Sequence, residues 1–311
     1  MYRFHSALRW LVAITTCCSA VPCLPTEAEP ALPPARYSAE VAIGAEYDSN
    51  VTVDELDITS NKSDYALTLD GKIGVKKQLT RATDIAINYD FSQESYQEYS
   101  HLNRQTHIVG ASLVHRRQLV DTGLSLYYVN SRLDGDGFLE LYRASPSLSG
   151  FITKKWFSRA AYVWSDKRIV ERSDRNATIQ AAELDVYYFA RGLRSYFNAG
   201  YRFKREDATL TRLDYRAHGG KLRHVRRIEA GARMIKLELA YRFEDREYSG
   251  ITPGIDASRS DLRQRWQVDL ELPLSEQSAL QFYTSYGDYD SNFIFTDYEQ
   301  AVIGTRYRYR W

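Results

Sequence analysis

The sequence predicts an all-β protein, a transmembrane antiparallel β-barrel of about 14 strands. Alternating apolar and polar residues recur in segments of about ten residues, the length that a tilted strand needs to cross a bilayer. Tyr accounts for 24 of the 311 residues, and its half-apolar ring suits a membrane interface. The mean hydropathy of −0.47 is too polar for a bundle of membrane helices. It fits a wall whose residues face lipid and lumen in turn.

The N-terminus has the pattern of a signal peptide, predicted over residues 1–20 with cleavage as late as residue 28. Arg3 and Arg9 precede an apolar run that is too short to span a bilayer as a helix. A Pro-rich periplasmic lead-in is predicted over 21–36. All three cysteines precede the barrel, so no disulfide framework is expected there. Removal of Arg3 and Arg9 lowers the formal charge from +1 to −1, and no attraction to nucleic acid follows.

The barrel itself is predicted over residues 37–311, with an even strand count that brings both ends to the periplasmic side. A soluble β-sandwich is the alternative, but it needs neither a signal peptide nor an aromatic last strand. Residues 219–228 are expected to form either a turn or a bulged extension of a strand. The predicted strands are 37–47, 64–77, 82–96, 104–118, 121–131, 138–152, 155–167, 176–190, 194–205, 210–219, 229–247, 261–273, 277–289 and 295–311.

The last eleven residues alternate most clearly, and Tyr307, Tyr309 and Trp311 share one face. A final alternating strand that ends on Trp resembles the sorting signal of bacterial outer-membrane barrels. The resemblance implies a location in the bacterial outer membrane. It also implies contact with outer-membrane lipid and lipopolysaccharide, and recognition of this strand by the barrel assembly machinery.

The opening Gly44-Ala45-Glu46-Tyr47-Asp48-Ser49-Asn50-Val51 resembles the start of the barrel in surface lipoprotein assembly modifiers. That family's barrel is thought to have this many strands and helps to move lipoproteins to the cell surface. Its members carry a helical repeat domain before the barrel, and this chain is expected to have only the short Pro-rich segment there. Similar openings occur in barrels linked to polysaccharide export. An exported lipoprotein or polysaccharide is therefore an expected partner.

Charged residues dominate the face of the strands that should point into the lumen. They form either a polar channel with opposed acidic and basic walls, or ion pairs that fill a narrow lumen, and the pattern leaves both open. The predicted lumen-lining charges are Glu40, Glu46, Asp70, Asp84, Asp90, Glu183, Asp185, Arg202, Lys236, Arg242, Arg263, Arg265, Arg306, Arg308 and Arg310.

Closure of the barrel predicts one specific contact. If the first strand pairs with the last, Glu40 lies at the height of Arg308 or Arg310, and Glu46 lies nearer Arg306 or Gly304. An ion pair is therefore expected from Glu40 to Arg308 or Arg310. The same three arginines are expected to make an open pore prefer anions.

No pattern for catalysis, a metal or a cofactor stands out, and the protein is not expected to be an enzyme. No His lies in a local Ser-containing signature, and Asp134–Gly137 is better explained as a turn than as a calcium loop. Tyr-Asp-Ser-Asn occurs at 47–50 and again at 289–292. Turn chemistry is favoured for both copies over a shared recognition edge.

The function predicted first is transport or export through the outer membrane, as a pore or as the barrel of a lipoprotein or polysaccharide export system. A passive diffusion porin with a charged lumen is the second prediction. A structural or adhesive surface barrel is the third.

Overall fold

The structure, a computed structural model, describes residues 32–231 and 233–311. The predicted signal peptide and residues 21–31 of the predicted lead-in lie outside the described residues. Within them, 14 antiparallel strands close into a barrel in which strands that follow one another along the chain are neighbours. The predicted fold class is confirmed.

The strands are numbered β1–β16 in chain order, and two of them, β2 and β3, form a separate small hairpin outside the barrel sheet. Short 3-10 turns are Asp54–Leu56, Ser100–Leu102, Ser173–Arg175, Thr211–Leu213 and Ile294–Thr296. The strands are β1 (Arg36–Asp48), β2 (Thr52–Val53), β3 (Ile58–Thr59), β4 (Asp64–Gln78), β5 (Thr83–Tyr96), β6 (Arg104–His115), β7 (Asp121–Leu133), β8 (Asp136–Phe151), β9 (Trp156–Ile169), β10 (Ala177–Leu193), β11 (Ser195–Ala208), β12 (Tyr215–Ala230), β13 (Arg233–Thr252), β14 (Ala257–Pro273), β15 (Ser278–Ser291) and β16 (Tyr298–Arg310).

No helix in the described residues is long and apolar enough to cross a bilayer.

The outer face of the wall is apolar. Ile43, Leu67 and Ile303 leave about 60% of their surface exposed, at 61%, 67% and 59%. Burial of such surface away from water is worth roughly 25 cal/mol per Å², so a continuous apolar wall of this kind requires lipid. Both ends of the barrel chain lie at one rim, and the longest connection, residues 49–63, lies at the other. We call these the periplasmic and extracellular rims, as in bacterial barrels.

Strand β12 differs from the prediction, which ended a strand at 219 and left residues 219–228 as either a turn or a bulged extension of a strand. Gly219 and Gly220 lie inside β12, where they pair with Glu244 and Phe243 of β13. A Cβ added to Gly220 would clash with the ring of Phe243. Gly220 therefore marks the close approach of an aromatic ring to the wall, whereas Gly219 lies on the opposite face, across from Glu244. The turn interpretation is wrong.

Candidate functional site

The candidate site is the lumen together with the extracellular segment that crosses it. All fifteen predicted lumen charges lie on the lumen side of the wall, because each shares its face with inward residues of both neighbouring strands. Most of them meet a partner of opposite charge. Glu183, for example, lies 3.2 Å from Arg143 and 3.5 Å from Arg202, and Asp185 lies 2.6 Å from Lys221.

The closure of the barrel holds the predicted ion pair. Glu40 opposes Arg310 in the register of β1 and β16. Its carboxylate lies 2.7 Å from Arg310 and 3.2 Å from Arg308. Across the rim, Glu271 of β14 lies 2.7 Å from Arg308 and 3.1 Å from Arg310. Two carboxylates and two guanidinium groups thus form one network that spans β14, β16 and β1.

Other predicted charges also have polar partners. Arg306 lies 3.4 Å from Glu46 and 3.2 Å from Asp70. Asp84 is paired with Lys76 and Arg116 near the periplasmic rim. Lys236 lies 3.0 Å from Glu238, and Asp90 accepts a hydrogen bond from Asn88 at 2.6 Å.

At the C-terminus, Tyr307 and Tyr309 lie on the outer face of β16, and the backbone N–H of Trp311 donates to the carbonyl of Ala39 at 2.9 Å. The Trp311 ring contacts Tyr309, with centroids 4.7 Å apart. This strand therefore completes the sheet against β1. Recognition of this strand by the barrel assembly machinery stays a prediction.

The mouth is crossed by residues 49–63, which include β2 and β3 and which we call the plug segment. Arg175, in the connection from β9 to β10, donates to the Glu55 carbonyl at 3.0 Å and to Asp57 at 2.8 Å. Strand β10 is the seventh strand from β1 in either direction around the barrel. The plug segment begins at β1, so it reaches the opposite wall.

Apolar packing holds the same segment down. Val51 and Val53 are 1% and 2% exposed, and they form one core with Leu102, Phe138 and Ile169. These three residues belong to the β5–β6 connection, β8 and β9. A loop that buries apolar side chains against three parts of the rim is a folded element of the structure.

The first Tyr-Asp-Ser-Asn copy anchors the plug segment. The Asn50 side-chain oxygen accepts hydrogen bonds from the Asn61 N–H at 2.9 Å and from the Thr59 hydroxyl at 2.8 Å, which closes the base of the loop. The second copy bonds strand β14, where Asn292 accepts from the Ser260 N–H at 3.0 Å. The two copies therefore have different local roles.

Electrostatics fix the tip of the plug segment. Asp57 lies 2.8 Å from Arg175 and 3.1 Å from Arg259, and Arg259 is only 4% exposed. Burial raises the pKa of the Asp57 carboxyl, but the two guanidinium groups lower it by more, so its pKa lies below the ordinary value. The ionised carboxylate is thus the form that holds the segment in place.

Below the plug segment the lumen contains two cavities of similar size and opposite charge. A cavity of about 480 Å³ toward β11–β14 is lined by six cationic side chains and four carboxylates. A cavity of about 470 Å³ toward β1, β5 and β16 is lined by six carboxylates and three cationic side chains. We call them the basic cavity and the acidic cavity. Asp54 of the plug segment and Arg265 line both.

Two arginines of the basic cavity differ from the other predicted lumen charges. Arg242 and Arg265 oppose each other directly across β13 and β14. Among residues 32–231 and 233–311, neither has a carboxylate within ion-pair distance. Arg265 donates one hydrogen bond, to Gln300 at 3.1 Å. Both guanidinium groups face the open cavity.

Sequence reasoning missed the plug segment because Val51, Val53, Leu56 and Ile58 lie among turn-forming residues and read as a loop. Their apolar character inside a 15-residue connection is the signal that was available.

The Asp134-Gly135 turn has positive φ at both residues, 52° and 87°, as a tight hairpin requires. Within the described residues no group of three His, Cys, Asp or Glu side chains could hold a metal ion.

No protein-family model and no curated protein sequence matches the chain. Among solved structures, an anion-selective porin from Comamonas acidovorans is similar, with 8% identity, a TM-score of 0.51, and coverage of 89% of this chain and 99% of the porin. OmpT, an outer membrane protein of Vibrio cholerae, has 9% identity, a TM-score of 0.51 and the same coverage. A bacterial polysaccharide outer membrane secretin has 12% identity and a TM-score of only 0.45, and the match covers 88% of this chain and 98% of the secretin.

At these identities the likeness to the first two structures concerns the fold alone, which is that of outer-membrane β-barrels. The apolar outer wall of this barrel requires the same kind of environment, and the last strand predicts it independently. The chain is accordingly placed in the bacterial outer membrane. The resemblance to surface lipoprotein assembly modifiers stays a prediction.

Proposed function

We propose that the protein is a narrow outer-membrane pore that transports small polar solutes. One observation carries the proposal: charged side chains in the middle of the lumen face open cavities, and Arg242 and Arg265 are exposed there without ionic partners. Charged groups that are unpaired in the interior of a protein need water around them. The central lumen is therefore hydrated.

The size of the barrel supports the same function. Barrels of 8 strands are filled by their own side chains, whereas barrels of 16–18 strands leave an aqueous channel. This barrel has 14 strands, and its lumen contains cavities of about 480 and 470 Å³. Cavities of this size accommodate small molecules.

The two opposed cavities add a basis for selectivity. A cationic wall that faces an anionic wall creates a field across the lumen, and such a field orients solutes that carry separated charges. Asp54 lies where the two cavities meet, so a solute that enters from outside passes the plug segment first. This supports a pore whose mouth is controlled by residues 49–63.

Export of a lipoprotein or a polysaccharide, predicted first from the sequence, requires more space than these cavities provide. A polymer would have to displace the plug segment from its apolar core as well as part of the lumen network. Small-solute transport needs only local movement, and for this reason we favour it.

The test is conductance of the purified protein in a planar bilayer. Wild type is expected to conduct in small steps, and replacement of residues 52–60 by a short Gly-Ser linker should raise the step size several-fold. The same linker in place of 253–256, another extracellular connection, is the control and should leave the step size unchanged. Retention of the fold is checked by heat-modifiable gel mobility. Absence of conductance in both wild type and the folded plug variant would contradict the proposal.

A further inference from the structure

We propose that Arg242, Arg263 and Arg265 form a binding site for a small oxyanion, a carboxylate or phosphate, inside the basic cavity. This inference rests on the proposed pore function and assigns a solute class to it. Its basis is that Arg242 and Arg265 have no carboxylate within ion-pair distance among the described residues, while Arg263 beside them lies no nearer than 3.8 Å to one.

The first step is the register of the wall. Arg242 of β13 is the direct partner of Arg265 of β14, and directly opposed side chains in an antiparallel pair lie close together. Like charges in that position repel and destabilise the sheet. At the next inward-facing position toward the extracellular rim, Glu244 opposes Arg263. Such a pair of opposite charges is the arrangement expected if the charges served only to hold the wall together.

The second step is the set of hydrogen-bond donors that have no protein acceptor. Arg263 is 12% exposed, yet it makes no hydrogen bond within the described residues. Its nearest carboxylates are Asp54 at 3.8 Å and Asp261 at 3.9 Å. Its Nε atom is buried without a partner. Arg242 makes neither a hydrogen bond nor an ion pair to the described residues, and its guanidinium group lines the same cavity.

The third step is that an aromatic ring orients the guanidinium groups of Arg263 and Arg265. The ring of Tyr289 lies under both Arg263 and Arg265, with centroid distances of 5.7 and 6.0 Å. Such cation–π contacts orient a guanidinium group while they leave its edge free. A guanidinium edge matches the two oxygens of a carboxylate or phosphate in a bidentate geometry.

The plug segment supplies a carboxylate that shows the same chemistry. Asp54 lies 3.8 Å from Arg263 and accepts a hydrogen bond from Tyr298 at 2.6 Å. The Asp54 carboxylate repels an oxyanion beside it, so a bound oxyanion would lie on the side of Arg263 that faces Arg242 and Arg265. The cavity has a volume of about 480 Å³, which is large enough for a small carboxylate or phosphate compound.

The test measures thermal unfolding of the purified protein in detergent, with inorganic phosphate or succinate added against sodium chloride at equal ionic strength. The variants are wild type, Arg242→Gln/Arg265→Gln and the control Arg216→Gln. Arg216 lies on the outer face of β12 away from the cavity, so its loss changes the charge without changing the site. Equal ionic strength removes the general screening effect of salt.

For wild type and Arg216→Gln we expect a saturable rise of several degrees in melting temperature with at least one of the two anions. For Arg242→Gln/Arg265→Gln we expect that rise to disappear, while the melting temperature without anion stays equal or increases because repulsion is relieved. No saturable rise in wild type, or the same rise in the double variant, overturns the site.

The binding test does not depend on ion flow. If the protein conducts ions but no anion stabilises it, the proposed binding site is wrong and the proposed pore function stands. If an anion stabilises the protein but the protein does not conduct ions, the proposed pore function is wrong and the proposed binding site stands.

Discussion

Two parts of the same lumen wall carry the same residue types and differ in how those residues are paired. At the periplasmic rim, Arg308 and Arg310 each lie within 3.2 Å of Glu40 and of Glu271. In the middle of the wall, Arg242 opposes Arg265 and neither meets a carboxylate among the described residues. The difference separates charges that close the barrel from charges that, in our proposal, contact a solute.

The largest effect on stability is expected at the rim. Glu271→Gln leaves Arg308 and Arg310 with one carboxylate where there were two. Loss of one partner of a fully buried pair costs about 3–5 kcal/mol. Because Arg310 is 45% exposed, we expect a smaller loss, roughly 1–3 kcal/mol in the free energy of unfolding.

The loss in the free energy of unfolding is measured by denaturant unfolding in detergent. Glu276→Gln, in the exposed turn between β14 and β15, is the matched control and should change little. Equal effects of the two substitutions would show that the rim network does not stabilise the barrel.

The plug segment gives the next prediction, because Asp57 holds it through a carboxylate whose pKa is lowered by Arg259 and Arg175 despite its burial. A group whose pKa is lowered on folding contributes stability above its unfolded pKa, and this contribution is lost as the pH falls through the folded value. The unfolded pKa of Asp is about 3.9. We therefore expect the plug to loosen and the conductance to rise below about pH 4.

Asp57→Asn separates this effect from general acid sensitivity. The variant should show raised conductance already at neutral pH and a much smaller further rise in acid. If the variant keeps the same acid response as wild type, another group controls the mouth.

The smallest expected effect is the coupling between Glu40 and Arg310. Their carboxylate and guanidinium lie 2.7 Å apart, but the arginine is 45% exposed. Water and salt screen such pairs, and their worth is about 0–1 kcal/mol. A double-mutant cycle with Glu40→Gln and Arg310→Gln, measured by unfolding in detergent, gives this coupling energy. A value above about 2 kcal/mol would mean that the rim is tightly filled and closed to water.

The strand alternation and the closing contact could be predicted because they depend on local sequence and simple geometry. Period-two patterning gives the two faces of each strand, and antiparallel closure brings Glu40 to the height of Arg310. The free arginines could not be predicted in this way. Whether an inward arginine meets a carboxylate depends on the register between neighbouring strands, and that register is set by the whole barrel.

Two further differences follow from the same cause. The sequence singled out Arg306, Arg308 and Arg310 as the source of anion preference, yet each of them is paired with a carboxylate. Gly219 and Gly220 suggested a turn, because glycine in a single sequence does not reveal whether a turn or a neighbouring ring requires it. Here the ring of Phe243 covers Gly220.

The most direct test of this division of charges is the reversal potential across a potassium chloride gradient in a planar bilayer. Arg242→Gln/Arg265→Gln should shift the reversal potential toward cation preference, because it removes two charges that the solute meets. Glu271→Gln/Arg308→Gln, which removes a rim pair, should leave it unchanged. An unshifted potential for the first variant, or an equal shift for the second, would contradict the account.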